Sequence, residues 1–295
     1  MAPRFKGKGS RPSQRGDRDG HLHGLGPPET RFLRQFGLLE NQRLIFKLLR
    51  RILTDGYFGQ SAVEDAAIAA IELLKRECAV RRPGFKQKLT DSGIWTNFFV
   101  AIPDGESVNS FQALAEVLRQ KLHLPQFQVG QSGQLVDFVR SHDDVAVLVF
   151  DDLIGTGKTA EAVVEKLISA LRLEGLDQKV ACLLFFAVAA FKDTVRTLNE
   201  KFDGTALFSA YRPLTEADQA FHPEAGICED EDERERARKL AESYGLRLEP
   251  KWPLGYGNRQ ALVAFYRNTP NITLPVFYKG SWRKAFAWRP LLRRM

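Results

Sequence analysis

The chain has 295 residues, 44% of them hydrophobic and 27% charged, with a formal net charge of +7. That is enough apolar material for a substantial core, but the longest apolar run, residues 180–191, is too short to cross a bilayer, and no apolar signal segment opens the sequence. Three cysteines, Cys78, Cys182 and Cys228, are odd in number and widely spaced, which argues against a disulfide framework or a zinc site and points to the reduced cytoplasm.

Residues 1–28 are rich in Gly, Pro, Arg and Ser and hold little to bury, so a basic disordered tail is expected there. Up to residue 35 the basic side chains Arg4, Lys6, Lys8, Arg11, Arg15, Arg18, Arg31 and Arg34 face only Asp17, Asp19 and Glu29. At the other end, Lys279, Arg283, Lys284, Arg289, Arg293 and Arg294 stand without an acid from residue 279 onward. Basic ends on a mildly acidic body suit contact with a polyanion such as nucleic acid or phosphorylated lipid. Trp282, Phe286, Trp288 and Leu291 are placed to anchor the second of these ends.

Residues 29–95 form a helical region. Leu38, Leu39, Leu44, Ile45, Leu48, Leu49 and Ile52 recur at helical intervals. After Gly56-Tyr57-Phe58-Gly59 a second helix is expected from Ser61, with Ser61 and Glu64 as a capping box and Ala66, Ile68, Ile71 and Leu74 as its apolar positions. These helices are able to cover a sheet face, bind a partner or form an oligomer surface, and Arg81-Arg82-Pro83-Gly84 ends them.

An α/β domain is expected over residues 96–295, opening with a strand at 95–102. Its exit, residues 103–110, leads into a helix at 111–121. Gly105, Ser107, Asn109 and Ser110 offer amides and hydroxyls there, although Asp104 and Glu106 oppose an anion, and the alternative reading is a surface loop with a helix cap at Asn109 or Ser110.

The most informative stretch is residues 147–159, VLVFDDLIGTGKT. A buried-strand pattern ends in Asp151 and Asp152 and passes through Gly155, Thr156, Gly157, Lys158 and Thr159 into a helix. Gly155 and Gly157 let backbone amides approach an anion, Thr156 and Thr159 add hydroxyls, and the helix start near Lys158 points its positive dipole at the same place. The two ionised acids are acceptors, suited to paired ribose hydroxyls or to magnesium and its waters. A Walker A loop shares the Gly-Thr-Gly-Lys-Thr string but needs glycine where Asp152 stands, so a P-loop phosphotransferase is disfavoured.

Farther on, strands are expected at residues 180–188 and 205–211, with a helix at 191–201 between them. The acidic cluster 229–235 reads as the solvated start of a helix at 236–244. Final strands are expected at 260–266 and 273–278, joined by a turn at 268–271. His123, His142 and His222 lack metal-type spacing, no Ser-His-Asp or Cys-His set is present, and the Asn271 sequon carries no meaning in a cytoplasmic protein.

Residues 147–159 resemble the phosphoribosyl-pyrophosphate motif of type I phosphoribosyltransferases. The remainder, through Pro253-Leu254-Gly255-Tyr256-Gly257-Asn258 and residues 268–275, resembles phosphoribosyltransferase-like proteins of bacterial conflict systems, some of which accompany retron reverse transcriptases. The resemblance implies an α/β fold with a central, mostly parallel sheet and an N-terminal helical extension. It gives Asp151 and Asp152 the ribose hydroxyls and magnesium, and Gly155 to Thr159 the 5-phosphate, with Gly155 departing from the more usual hydroxyl or small side chain. By position, residues 103–110 would be the pyrophosphate loop. The implied ligand is phosphoribosyl pyrophosphate or a nucleotide, with Mg2+, and the implied activity is transfer or removal of the phosphoribosyl group at a nitrogen base, with the role of a defence-system effector as a further implication. An alternative is a non-catalytic nucleotide-sensing subunit that binds nucleic acid or a reverse transcriptase through its basic ends.

Overall fold

A computed structural model describes residues 27–104, 109–283 and 286–294. Gly105, Ser107 and nearly all of the basic tail, residues 1–28, therefore lie outside the described residues. The elements run α1 (Pro27–Leu33), α2 (Leu39–Arg51), β1 (Tyr57–Phe58), α3 (Gln60–Arg81), β2 (Phe98–Ala101), α4 (Asn109–Lys121), β3 (Val129–Gly130) and α5 (Ser132–Ser141). They continue with β4 (Val145–Ile154), α6 (Lys158–Leu173), β5 (Val180–Phe191), α7 (Lys192–Lys201), β6 (Leu207–Leu214) and α8 (Glu231–Leu248). Last come β7 (Ala264–Phe265), α9 (Pro275–Tyr278), β8 (Ser281–Arg283) and β9 (Phe286–Trp288).

The expected central parallel sheet is present, with five strands in the order β3-β2-β4-β5-β6. The chain leaves β2 toward β3 at one edge, then returns to β4 on the other side of β2 and proceeds outward to β5 and β6. The winding direction thus reverses between β2 and β4. In an open parallel sheet such a reversal leaves a crevice beyond the carboxyl ends of the two strands, because their connections diverge to opposite sides.

Side-chain alternation along the strands fills both faces. Phe98, Val100, Ala146, Leu148, Phe150, Leu184 and Phe186 pack against α3 and α4. Phe99, Ala101, Val145, Val147, Val149, Leu183 and Phe185 pack against α5 and α6. With helices on both faces the central strands lose any polar alternation, which is why β4 and β5 read as continuous apolar runs.

The N-terminal helices divide between two jobs. Val63, Ala66, Ala67, Ala70, Ile71, Leu74 and Cys78 of α3 cover a sheet face, whereas α1 and α2 build a third core with α8 and residues 254–288. There Leu44, Ile45, Leu48, Leu49 and Ile52 meet Ala237, Ala241, Phe277 and Trp288. Ile68, assigned to the apolar face from sequence, is exposed.

Several local expectations are corrected. Gly59, not Ser61, is the residue before α3, and it makes no side-chain cap. Glu64 is instead held by Gln60 and Lys121, so it is unavailable for a capping box. Residues 273–278 are not a strand: Pro275 lacks an N–H and its fixed φ suits the first position of α9. In the stretch 260–266 only Ala264 and Phe265 form a strand, paired in parallel with β1. The helix expected from residue 236 begins at Glu231, and Asp230 caps it by accepting from the Glu233 N–H at 2.7 Å, so the acids form its first turn.

Asn97 closes the amino end of the sheet. Its fully buried amide donates to the carbonyls of Asp144 at 2.8 Å and Lys86 at 3.3 Å, and its oxygen accepts from Trp95 Nε1 at 2.7 Å and the Lys88 N–H at 3.0 Å. Asn97→Ala strands the buried Trp95 Nε1 and part-buried backbone partners on two other segments. Chemical denaturation is expected to show a loss of about 2–3 kcal/mol, the cost of leaving buried polar groups unpaired.

Candidate functional site

The apolar run of β4 carries the chain to the switch-point crevice, and its polar end lies there. Asp151, Asp152, Gly155, Thr156, Gly157, Lys158 and Thr159 all line one cleft of about 410 Å³. Phe111, Tyr256, Asn268, Asn271, Ile272 and Arg294 complete most of its wall. That volume suits a sugar-phosphate ligand. Asn109 and Ser110 open α4, whose third residue, Phe111, faces the cleft.

The turn after β4 is shaped by its glycines. Gly157 has φ of +82°, which side-chain-bearing residues rarely adopt, and a Cβ there would lie 2.9 Å from Thr194 Cγ2. At Gly155 a Cβ would lie 2.9 Å from Ile272 Cγ2. Ile272, in the 268–275 segment, crowds that point, which accounts for a glycine there. Immediately after Gly157, α6 begins, so its unpaired amides and positive dipole end face the cleft.

A network behind the turn holds it. Thr194 Oγ1, at the start of α7, donates to the Gly155 carbonyl at 3.0 Å and accepts from Arg259 Nη2 at 2.7 Å. Arg259 also pairs with Asp193 at 3.0 Å. Burial is the largest single influence on the Asp193 carboxyl and would raise it, but the hydrogen bond and charge of Arg259 together with the Thr194 and Asp193 backbone N–H groups hold it below its ordinary value. Thr194→Val keeps the shape and removes the tie. Titration calorimetry is expected to show ribose 5-phosphate binding about 2- to 10-fold weaker, the worth of one hydrogen bond.

The two acids differ in environment. Asp151 is buried, and its Oδ1 accepts the Asp152 N–H at 2.8 Å. Asp152 Oδ2 accepts from Asn268 Nδ2 at 3.2 Å, while Val63, Leu114 and Phe265 border its other side. That burial pushes the Asp152 carboxyl above its ordinary value, and the Asn268 amide partly opposes the shift. Asp104, at the exit of β2, is spoken for: Ser132 donates to it and Lys166 pairs with it at 2.9 Å.

Sequence reasoning placed the acids and the turn but missed Thr194, Arg259 and Phe111, which carry no local motif. Tyr256 and Asn268 belong to motifs singled out in the sequence, and these pack over the turn: the Tyr256 N–H donates to the Asn271 carbonyl at 2.7 Å, and Gly257 lies against Thr156.

Residues 29–294 match the family model described as PRTase-CE. The chain belongs to this phosphoribosyltransferase-type family. Membership in PRTase-CE supports a phosphoribosyl-transfer-like function. Among solved structures, the AQ2163 protein from Aquifex aeolicus is similar over 64% of this chain and 85% of its own, with 8% identity and a TM-score of 0.31. A comparison with curated proteins found no match. Among the described residues no helix is long and apolar enough to cross a membrane.

The carboxylates of Asp151 and Asp152 are hard oxygen donors, and among the described residues no group of three or more His, Cys, Asp or Glu is arranged to hold a metal. Such a donor set fits magnesium that retains waters and shares substrate phosphates, and does not fit a metal caged by protein alone.

Proposed function

We propose that this cleft binds a 5-phosphoribosyl group, as phosphoribosyl pyrophosphate or a nucleotide, together with Mg2+, and transfers or removes that group at a nitrogen base. The observation that carries the proposal is the convergence of Asp151 and Asp152 with the Gly155–Thr159 turn on one cleft at the sheet's switch point. A sugar's hydroxyl pair is a donor set and needs fixed acceptors. Its phosphate is an anion and needs amides, hydroxyls and a helix start. The lining of this one cleft offers both.

Breaking the bond between the ribose anomeric carbon and its leaving group develops oxocarbenium character, so no protein nucleophile is required. Asp151 and Asp152 would orient the ribose through its hydroxyls and place negative charge beside the developing cation. The turn amides, Thr156, Thr159 and Lys158 would hold the phosphate and so fix the distance between sugar and acceptor. Magnesium, held through Asp151 and Asp152, would supply charge neutralisation for a pyrophosphate leaving group. Phe111, Tyr256 and Ile272 would keep water from the anomeric carbon and favour transfer over hydrolysis.

Titration calorimetry of the full chain with phosphoribosyl pyrophosphate, with and without Mg2+, tests the proposal. Saturable, magnesium-dependent binding is expected. No heat and no protection of the fold at millimolar ligand would end it.

A further inference from the structure

The cleft has a wall that no part of the phosphoribosyl motif supplies. Arg294 lines it from the carboxyl-terminal segment, more than 130 residues after the Gly155–Thr159 turn in sequence. We propose that Arg294 is a phosphate-binding residue of this site, and that the segment after β9 is a strap whose role is to carry that guanidinium to the ligand. This inference rests on the function proposed above and extends it to a residue outside the motif.

Three observations support it. First, the strap is fixed by specific bonds. Trp288, 1% exposed, donates through Nε1 to the Val276 carbonyl at 3.0 Å, and the Leu291 and Leu292 N–H groups both donate to the Phe277 carbonyl, at 3.1 and 2.8 Å. Residues 276–278 and 288–292 therefore move as one piece, and Arg294 follows two residues later. Second, the guanidinium is oriented. Its carbon sits 5.1 Å from the centre of the Tyr278 ring, and the Tyr278 hydroxyl lies 3.4 Å from the carbonyl of Asn271, itself a cleft residue. The Arg294 side chain also hydrogen-bonds Tyr278, and a guanidinium with five N–H donors that spends one on a phenol has others to offer an anion.

Third, the charge balance of the cleft calls for it. Among the described lining residues the Asp, Glu, Lys and Arg side chains are Asp151, Asp152, Lys158 and Arg294. Lys158 is exposed at the start of α6, and two carboxylates beside an anionic ligand oppose its entry unless cations offset them. Asp104 and Asp193, the other acids described nearby, are already paired with Lys166 and Arg259. No carboxylate pairs with Arg294 within salt-bridge distance among the described residues, whereas its neighbour in the basic end, Lys279, pairs with Glu249 at 2.9 Å. The strap thus delivers a cation that Tyr278 orients and that no carboxylate among the described residues neutralises.

The test compares the full chain with Arg294→Ala, Arg294→Lys and, as a control on the same strap, Arg293→Ala, titrated with ribose 5-phosphate and separately with pyrophosphate. Arg294→Ala is expected to weaken binding of at least one of these about 10- to 100-fold, the worth of a hydrogen bond to a charged group. Arg294→Lys is expected to recover part of the loss, since it keeps the charge without the planar fork, and Arg293→Ala is expected to bind like the parent. Which ligand is affected identifies the phosphate that Arg294 holds. Parent-like binding of both ligands by Arg294→Ala overturns this proposal alone. If the parent chain binds neither ligand, the proposed function fails and this inference fails with it. A thermal melt matching the parent, expected for a change at an exposed side chain, separates lost contact from lost fold.

Discussion

Asp151→Asn combined with Asp152→Asn is expected to abolish measurable binding of phosphoribosyl pyrophosphate while leaving the protein folded. Each carboxylate that accepts from a ribose hydroxyl contributes about 1.5–3 kcal/mol as a charged hydrogen-bond partner, so losing both raises Kd by about two to four orders of magnitude. The fold tolerates the change because the amide oxygen of asparagine can still accept the 2.8 Å bond from the residue 152 N–H and the 3.2 Å bond from Asn268. At position 152 the substitution should even stabilise slightly. Burial holds the Asp152 pKa above its unfolded value, so the folded chain binds more protons. Stability therefore falls as pH rises from the ordinary carboxylate value through the raised one, and the penalty grows over that range. An uncharged isostere removes it. Calorimetry gives the affinity, and a melt at pH 7 compared with pH 5 gives the sign. Unchanged donor affinity in the double variant would remove the assignment of both acids.

The largest effect on stability is expected at Trp288. Its ring packs with Phe36 and Tyr244 at 4.9 Å each and with Phe286 at 5.7 Å, and it joins α1, α8 and the carboxyl-terminal hairpin into one core. Trp288→Ala removes a large buried side chain and leaves the Val276 carbonyl without its donor, so urea unfolding should show a loss of about 3–5 kcal/mol. Trp282, six residues earlier and 77% exposed, is the matched control, and its alanine variant is expected within about 0.5 kcal/mol of the parent. Because Trp288 also seats the strap that ends in Arg294, Trp288→Ala should weaken phosphate binding as well, which the Trp282 variant should not.

The contrast between these two tryptophans shows where local pattern stops being informative. Both lie in a short basic, aromatic stretch, and either was a reasonable anchor. The side chains of an antiparallel hairpin alternate between its faces, and only the packing of that hairpin on α1 and α8 decides which face is covered. The residues 273–278 teach a related lesson. Val, Phe and Tyr favour a strand, but Pro275 at the first position and the Thr273 hydroxyl bond to the Val263 carbonyl at 2.7 Å turn the segment into a helical corner. Short elements like this one are set by a few tertiary bonds, which outweigh propensities of a few tenths of a kcal/mol per residue.

The sequence by itself determined the elements whose information is local: the apolar run of β4, the helix of α6, the glycine-bent turn between them and the two acids at the strand's end. A buried parallel strand needs an unbroken apolar run, and an anion-binding turn needs small residues ahead of a helix start, so both write themselves into consecutive positions. The residues that meet that turn from elsewhere in the chain were legible only once the fold was known. Thr194 behind Gly155, Asn268 on Asp152 and Arg294 across the cleft come from segments more than 35 residues away, brought together by the reversal of winding between β2 and β4 and by a core shared between the first helices and the last hairpin. Contacts of that kind are paid for by burial summed over the whole fold, and no short window of sequence records them.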